Sequence, residues 1–205
     1  MAELGGVIHK FVNVAFEKQT YLNILYLLFS FPLGTAYFIF LVSGLSFGFS
    51  LLIFWVGVPV LLLVLVAWWE IAAFERQMAV WLLGVEIPSM YPVSFSNSNI
   101  LQRFVQRVTS PVTWKALIFL LIKFPLGVFS LVIMTVLLSL TLTMLFTPVF
   151  YALGIGKVSS VSQAIFISAS GIFVGFVSLH LLNLLAAVSG DFAKRMLGKS
   201  EKQAK

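Results

Sequence analysis

Long runs of apolar residues, separated by short polar segments, dominate the pattern of this chain. The first run, at residues 21–45, contains no charged side chain, and it is long enough to cross a hydrocarbon core of about 30 Å with some tilt. Further apolar runs occupy residues 49–69, 114–151 and 164–188. The pattern predicts an all-α integral membrane bundle of four transmembrane helices. Pro32 and Pro125 are expected to kink two of these helices, because proline removes a backbone hydrogen bond.

The polar segments between these runs predict turns and surface helices. Residues 7–18 space their apolar side chains helically, which favours an amphipathic helix on the membrane surface, with a disordered tail as the alternative. Residues 85–113 are polar, and we expect a loop that contains a second short surface helix. Small residues at 43–50 predict the turn between the first two spans. Trp68 and Trp69 are expected at a membrane interface, where indole rings prefer to lie.

Composition supports the membrane assignment and restricts the chemistry. Hydrophobic residues make up 60% of the chain and charged residues 10%, whereas soluble domains carry about 25% charged residues. The lack of cysteine excludes disulfides, thiolate catalysis and cysteine-ligated metals. The net charge is +6, and membrane topology accounts for it, so nucleic acid is not an expected partner.

The basic residues predict an orientation. Under the four-span topology every lysine and arginine except Lys157 falls on one side of the membrane. The positive-inside rule then places both termini and the central loop in the cytoplasm. We therefore expect a multi-pass protein of the cell membrane, whose partners are membrane lipids and other membrane proteins or further copies of itself.

The two halves of the chain share an ordered set of residues. Phe31-Pro32-Leu33-Gly34 recurs 93 positions later as Phe124-Pro125-Leu126-Gly127. Ala72-Ala73 and Leu83-Gly84 recur 114 positions later, as Ala186-Ala187 and Leu197-Gly198. These matches indicate an internal repeat; chance similarity between apolar helices is the alternative.

The repeat divides a single membrane domain, residues 1–205, into two parts. Repeat 1 covers 21–84 and repeat 2 covers 114–198, with the cytoplasmic loop at 85–113 between them and a basic tail at 199–205. Each repeat holds two spans, so both repeats have the same orientation. A pseudo-two-fold axis along the membrane normal should therefore relate them, as in parallel transporter repeats.

His180 is the first candidate for chemistry, because an ionisable side chain within a membrane helix is a functional candidate by default. It would be the cofactor-binding residue if the chain held a haem or a pigment, or it could respond to pH. No second histidine has axial-ligand spacing, so a neutral ring hydrogen-bonded inside the bundle, to Asn183 or a serine, is the competing interpretation. We expect no cofactor other than bound lipid, and no metal.

Two further groups of residues allow more than one interpretation. Gly171 and Gly175 form a GxxxG motif, which favours close helix packing within the bundle or against a partner helix. Glu70, Glu75 and Arg76 are expected to be solvated or to contact lipid headgroups. As an alternative for this region, Glu70 pairs with Lys123 across the repeat.

The sequence shows no pattern of enzyme chemistry. It has no pair of intramembrane carboxylates, no phosphate-binding loop and no metal-ligand motif, so we expect no catalytic residue and no enzymatic activity. The shortage of charged residues within the spans also argues against an ion-coupled pump.

Proline, glycine and charged positions give the chain a family resemblance. The matching segments are Tyr26-Leu27-Leu28, the two Phe-Pro-Leu-Gly copies, Gly44-Leu45-Ser46, Gly57-Val58-Pro59, Ala73-Phe74-Glu75-Arg76, Leu82-Leu83-Gly84-Val85-Glu86-Ile87-Pro88 and Thr113-Trp114. With them, the chain from residue 22 onward resembles the putative sensor domain found at the N-terminus of many prokaryotic sensor histidine kinases. The resemblance implies a four-helix membrane module for sensing, and it implies no particular ligand or catalytic residue.

The phosphoacceptor and ATP-binding regions of those kinases have no counterpart in this sequence. Our leading hypothesis is therefore a stand-alone sensor-type membrane module, which relays a membrane or lipophilic cue to a partner protein. The alternative is a small structural or accessory subunit of a larger membrane complex, a role that a short chain with a helix-packing motif would suit. A carrier of hydrophobic substrates, built on the parallel repeat, is a third interpretation.

Overall fold

The computed structural model describes residues 11–88, 109–155 and 158–198. Within these ranges the chain is helical and contains no strand. The helices that lie wholly inside them are α1 (Lys18–Ser50), a 3₁₀ helix (Leu51–Phe54), α2 (Gly57–Leu83), α3 (Pro111–Leu145), α4 (Thr147–Ala152) and α5 (Val161–Leu197). Residues 7–10 of the predicted surface helix 7–18, most of the segment 85–113 and the tail 199–205 lie outside the described residues. Of the rest of the first segment, residues 11–13 are helical and 14–16 form a turn, and the Phe11 ring stacks on His180 of α5.

Four helical segments of this structure are long and apolar enough to cross a membrane: Lys18–Phe54, Gly57–Leu83, Pro111–Leu145 and Val161–Leu197. The predicted four-span, all-α bundle is confirmed. Helices α1, α3 and α5 contain 33, 35 and 37 residues, which is about 50–55 Å at 1.5 Å per residue. A hydrocarbon core is about 30 Å thick, so each of these three helices is roughly 20 Å longer than the core.

Charged residues lie in one terminal segment of each long helix, and we call these four segments together the basic end. It comprises the start of α1, the end of α2, the start of α3 and the end of α5. Every charged residue in the described ranges belongs to it or to the helical turns next to it: Glu17, Lys18, Glu70, Glu75, Arg76, Glu86, Lys115, Lys123, Asp191, Lys194 and Arg195.

The turn between the first two spans is not where the small residues predicted it. Helix α1 continues through residues 43–50 and ends at Ser50. The reversal follows at 51–56, where Trp55 adopts the left-handed conformation with φ 58°. Gly44 instead lets α2 approach closely, because a Cβ there would lie 2.7 Å from Val64 Cγ2. In a membrane, small residues mark helix packing as often as they mark turns.

Trp68 and Trp69 do not lie at a lipid interface. Both are buried in the bundle, at 2% and 3% exposure. The Trp68 ring packs edge-on against Trp114 of α3, with 5.9 Å between ring centroids. The helical period of α2 turns these two rings towards the other helices, where burial in the protein replaces contact with headgroups.

Helices α1 and α3 form the most extensive contact in the bundle, and two glycines make it possible. A Cβ on Gly34 would lie 2.8 Å from the Lys123 backbone oxygen, and a Cβ on Gly127 would lie 2.5 Å from the Ser30 backbone oxygen. Gly34 and Gly127 are 93 positions apart, and so are Ser30 and Lys123, so each helix presents the same surface to the other. Reciprocity of this kind is the mark of a two-fold contact.

The same register relates the buried positions of the two halves. At an offset of 93, buried residues of α1 correspond to buried residues of α3: Thr20, Tyr26, Leu27, Gly34 and Leu41 to Thr113, Phe119, Leu120, Gly127 and Met134. At an offset of 114, buried residues of α2 correspond to buried residues of α5: Gly57, Val64, Trp68, Ala72 and Ala79 to Gly171, Ser178, Leu182, Ala186 and Ala193. These relations support the two-repeat organisation, which remains a prediction, as do kinks at Pro32 and Pro125, both of which lie inside continuous helices.

We predict that Gly34→Ala destabilises the protein, although alanine is the better helix former. The added methyl group meets backbone, which cannot turn away, so overpacking should cost about 1–3 kcal/mol against a propensity gain of about 1 kcal/mol. The measurement is thermal unfolding in detergent, followed by circular dichroism.

Gly175→Ala is the matched control for this prediction. Its Cβ meets only the Thr141 side-chain methyl, at 3.1 Å, so its melting temperature should stay close to that of the wild type. Equal melting temperatures for Gly34→Ala and the wild type would contradict the close crossing of α1 and α3.

Candidate functional site

Helical spacing brings one carboxylate of α2 into the bundle and leaves another outside. Ala72, Glu75 and Ala79 recur at intervals of three and four, which is the spacing of one helix face, and all three are buried. Glu70 lies on the opposite side and is exposed. On α3 the same spacing places Lys123 on the buried face, one turn before Gly127.

The buried face of α2 meets α3 in an ion pair. Lys123 Nζ contacts Glu75 Oε1, and the two side chains are only 4% and 0% exposed. Lys123 Nζ also donates a hydrogen bond of 3.1 Å to the Tyr26 hydroxyl, which in turn donates to Glu75 Oε1 at 3.4 Å. The ammonium lies 4.5 Å from the centre of the Tyr26 ring, a cation–π distance. We call these three residues the buried polar cluster.

The cluster joins three helices and both halves of the chain. Tyr26 belongs to α1, Glu75 to α2 and Lys123 to α3. Lys123 lies 22 residues before the C-terminal end of α3, which is about 33 Å along the axis and close to the thickness of a hydrocarbon core, about 30 Å. Burial of one charge alone would be costly, and the opposite charge offsets that cost.

Two polar atoms beside the cluster remain unsatisfied. In the described part of the chain, the Tyr37 hydroxyl and Glu75 Oε2 have no hydrogen-bond partner, and both are buried. A buried polar atom without a partner costs about 1–3 kcal/mol. The Tyr37 hydroxyl is nevertheless within electrostatic range of the Glu75 carboxylate, so these two groups lie near one another in the interior of the bundle.

This site differs from what the sequence suggested. The expectation that Glu75 is solvated or contacts headgroups is wrong, and so is the pairing of Glu70 with Lys123. Arg76 is half-buried and donates to the Ile87 carbonyl at 3.4 Å. The signal that could have identified Glu75 was its spacing with Ala72 and Ala79, because both alanines belong to the repeated set.

A second polar group ties the start of α1 to the end of α2 and to the middle of α5. Asn23 donates to Asn183 Oδ1 at 3.0 Å, and Asn183 donates to Thr20 Oγ1 at 2.9 Å. Gln19 donates to Asn23 Oδ1 and to the Leu82 carbonyl, each at 2.8 Å. Side-chain amides are effective links between helices where little water competes.

His180 fixes the segment that precedes α1. Its Nε2 lies 3.3 Å from the Phe11 carbonyl oxygen, and its ring stacks on the Phe11 ring with 4.9 Å between centroids. The partner is therefore neither Asn183 nor a serine, and the nitrogen that would ligate a haem iron faces a carbonyl group. Within the described residues no cluster of three or more histidine or acidic residues suited to a metal ion occurs.

The GxxxG motif of α5 faces α3. A Cβ on Gly171 would lie 2.8 Å from Met144 Cβ, and one on Gly175 would lie 3.1 Å from Thr141 Cγ2. Hydrogen bonds line the same contact, between Thr141 and Ser178 at 3.2 Å and from Ser168 to the Leu145 carbonyl at 3.0 Å. The motif thus packs α5 against α3 inside the bundle.

Comparison with known proteins gives one match. A family model with the description "Putative sensor" matches residues 26–197, which is well over half of the chain and includes the buried polar cluster. No curated protein and no solved structure matches the chain.

We predict that Glu75 and Lys123 are strongly coupled in stability. Removing one partner, in Glu75→Gln or Lys123→Met, leaves a buried charge uncompensated and should cost about 3–5 kcal/mol of unfolding free energy. The double variant should cost clearly less than the sum of the two single variants. The measurement is an SDS unfolding titration of the four proteins.

The control for this cycle is Glu70→Gln, which removes an exposed carboxylate from the same helix. It should change the unfolding free energy by no more than about 0.5 kcal/mol. Additive costs for Glu75→Gln and Lys123→Met, or an equal coupling of Lys123 with Glu70, would show that the ion pair does not form.

Proposed function

This chain belongs to the putative sensor family and is a sensor-type membrane module, and from that premise we propose that it relays a membrane or lipophilic cue to a partner protein. The observation that carries the proposal is the buried ion pair between Glu75 and Lys123. It links the two halves of the bundle near the end where the charged residues gather. A contact at that place connects the state of the lipid-embedded helices with the part that a partner can reach.

Among the contacts between the two halves, that of α1 with α3 is the most extensive. Backbone meets backbone where α1 crosses α3 at Gly34 and Gly127, and such a contact cannot slide. The contact of α2 with α3 is smaller and includes the ion pair. A change in bilayer thickness tilts or shifts helices at a cost of fractions of a kcal/mol per Å, so α2 is the helix that we expect to move.

Movement of α2 would alter the surface of the basic end. The ends of α2 and α5 carry Trp81, Lys194 and Arg195, all of them exposed. Because three of the helices are roughly 20 Å longer than the hydrocarbon core, this end is within reach of another protein. The proposed output is a change of shape, and we assign no catalytic step to the chain.

We propose further that the basic end is cytoplasmic, as the positive-inside rule requires. The chain has no cysteine, so single-cysteine variants test this directly. Trp81→Cys at the basic end should be protected from a membrane-impermeant maleimide on intact cells, and Trp55→Cys at the opposite end should react. Both positions are exposed, at 68% and 85%. The reverse pattern of labelling would place the basic end outside.

The relay predicts that the basic end responds to the bilayer. Spin labels at Trp81→Cys and Arg195→Cys, equivalent positions 114 apart, report the separation of α2 from α5. Between vesicles of short-chain and long-chain phosphatidylcholine, the wild-type distance should change by about 1–2 Å or more. With Lys123→Met added, α2 loses its ion pair with α3, so the distribution should be broad in both vesicles. Identical distributions for the wild type in the two vesicles would refute the relay.

The partner is tested in the native membrane. A photo-crosslinking amino acid at position 81 should capture one protein, and the yield should change about threefold or more when a membrane-fluidising alcohol is added, as a coupling of 1 kcal/mol or so implies. The same replacement at position 55 is the control. A fixed, stoichiometric companion whose yield ignores the alcohol would instead indicate an accessory subunit of a larger complex.

A further inference from the structure

A polar crevice lies beside the buried polar cluster, between α1, α3 and α5. Its cavity volume is about 20 Å³, which is room for about one water-sized group such as a carbonyl oxygen. Its polar wall consists of Ser30, Lys123, Ser130 and Ser189, and its apolar wall consists of Phe119, Leu126 and Phe192. Leu126 is 39% exposed, so the crevice opens on the outer surface of the bundle.

The crevice exists because the two repeats differ at two positions. In the register of 93, Ser130 of α3 corresponds to Tyr37 of α1. In the register of 114, Ser189 of α5 corresponds to Glu75 of α2. Large side chains fill this place in the first repeat, and two serines leave it open in the second. The first repeat therefore serves as an internal comparison, in which large side chains occupy the positions of the two serines.

Ser130 is the residue that points to a ligand. It is 3% exposed and lines the crevice, yet no hydrogen-bond partner for it exists in the described ranges. The neighbouring serines behave otherwise: Ser30 donates to the Tyr26 carbonyl at 2.8 Å, and Ser189 donates to the Leu185 carbonyl at 2.9 Å. Ser130 lines the crevice and does not make this local bond, so a group in the crevice could accept its proton.

The crevice has unused hydrogen-bond donors, so it favours a ligand that carries a hydrogen-bond acceptor. Lys123 has three N–H groups, of which Glu75 and Tyr26 accept two, and the Ser130 O–H is unused. The hydroxyl groups of Ser30 and Ser189 already donate to carbonyl oxygens of their own helices. A ligand with a carbonyl oxygen would therefore accept hydrogen bonds from Lys123 and Ser130.

The charge of the cluster favours a neutral ligand over an anion. Glu75 already neutralises Lys123, so a phosphate or carboxylate beside them would add an uncompensated negative charge in an apolar site, which is costly. The position favours an amphiphile, because the crevice opens on the outer surface of the bundle and an apolar tail could leave it past Leu126.

We propose that this crevice binds the carbonyl group of a neutral membrane amphiphile, with Ser130 and Lys123 as hydrogen-bond donors and the tail of the ligand in the bilayer. The proposal names the class of cue and rests on the proposed sensor function. Glycerolipid esters and long-chain quinones share this chemistry, and the experiment separates them.

The test uses the purified full chain and a photoactivatable diacylglycerol, which is neutral and carries ester carbonyls. Labelling should fall on the peptides that contain Phe119 to Ser130 and Ser189 to Phe192. Ser130→Ala should reduce it about fivefold, as the loss of one hydrogen bond implies. Ser130→Tyr, which copies Tyr37 of the first repeat, should fill the crevice and reduce labelling more than Ser130→Ala does.

Ser139→Ala is the matched control, an exposed serine of the same helix. It should label like the wild type. Thermal unfolding of Ser130→Ala should also match the wild type, because its hydroxyl has no hydrogen bond to lose; this keeps the variant informative. An unlabelled diacylglycerol or quinone should compete, and the stronger competitor identifies the source of the carbonyl group.

Three results would overturn the proposal: equal labelling of Ser130→Ala and Ser139→Ala, competition by a dialkyl ether as strong as that by the ester, or stronger labelling by photoactivatable phosphatidic acid than by the neutral probe. Failure of the relay is a separate result. Specific labelling without any change in the spin-label distance would retain the site and refute the relay. A bilayer-dependent distance without labelling would retain the relay and refute the site.

Discussion

A charged side chain buried in an apolar bundle is stable only in contact with the opposite charge. Glu75 and Lys123 are such a pair, and the structure has to keep them together. The pair holds α2 against α3, and it needs Tyr26 of α1 as a third partner. The close glycine crossing at Gly34 and Gly127 brings α1 near enough to α3 to supply that tyrosine. The glycine crossing therefore sets the distance between the two halves. The ion pair makes the position of α2 against α3 depend on both charges being present.

The two halves of the bundle are related in register but differ in chemistry. Where the first half places Tyr37 and Glu75, the second places Ser130 and Ser189. One half thus provides the acid of the ion pair, and the other half provides Lys123 and an open crevice next to it. In our account the symmetrical contact gives the module its shape, and the asymmetry gives it a place where an amphiphile could act on the ion pair.

The fold was largely predictable, because hydropathy and the lengths of the apolar runs determine which segments span a membrane. The turn was misplaced because small residues serve both turns and helix packing, and only a neighbour such as Val64 beside Gly44 distinguishes the two. The site was harder still. Whether Glu75 or Glu70 faces α3 depends on the rotation of α2, and the partner of His180 lies 169 positions away, at Phe11.

The most direct test of this account is the distance between the charged groups of Glu75 and Lys123 in a lipid bilayer. Rotational-echo solid-state NMR on protein with ¹⁵Nζ-lysine and ¹³Cδ-glutamate measures it, with Glu75→Gln as the subtraction control. The account predicts dephasing from a pair within about 4 Å in the wild type, which disappears in Glu75→Gln. Identical dephasing curves for the two proteins would mean that the two charges are apart in the membrane, and the coupling of the halves through this ion pair would have to be abandoned.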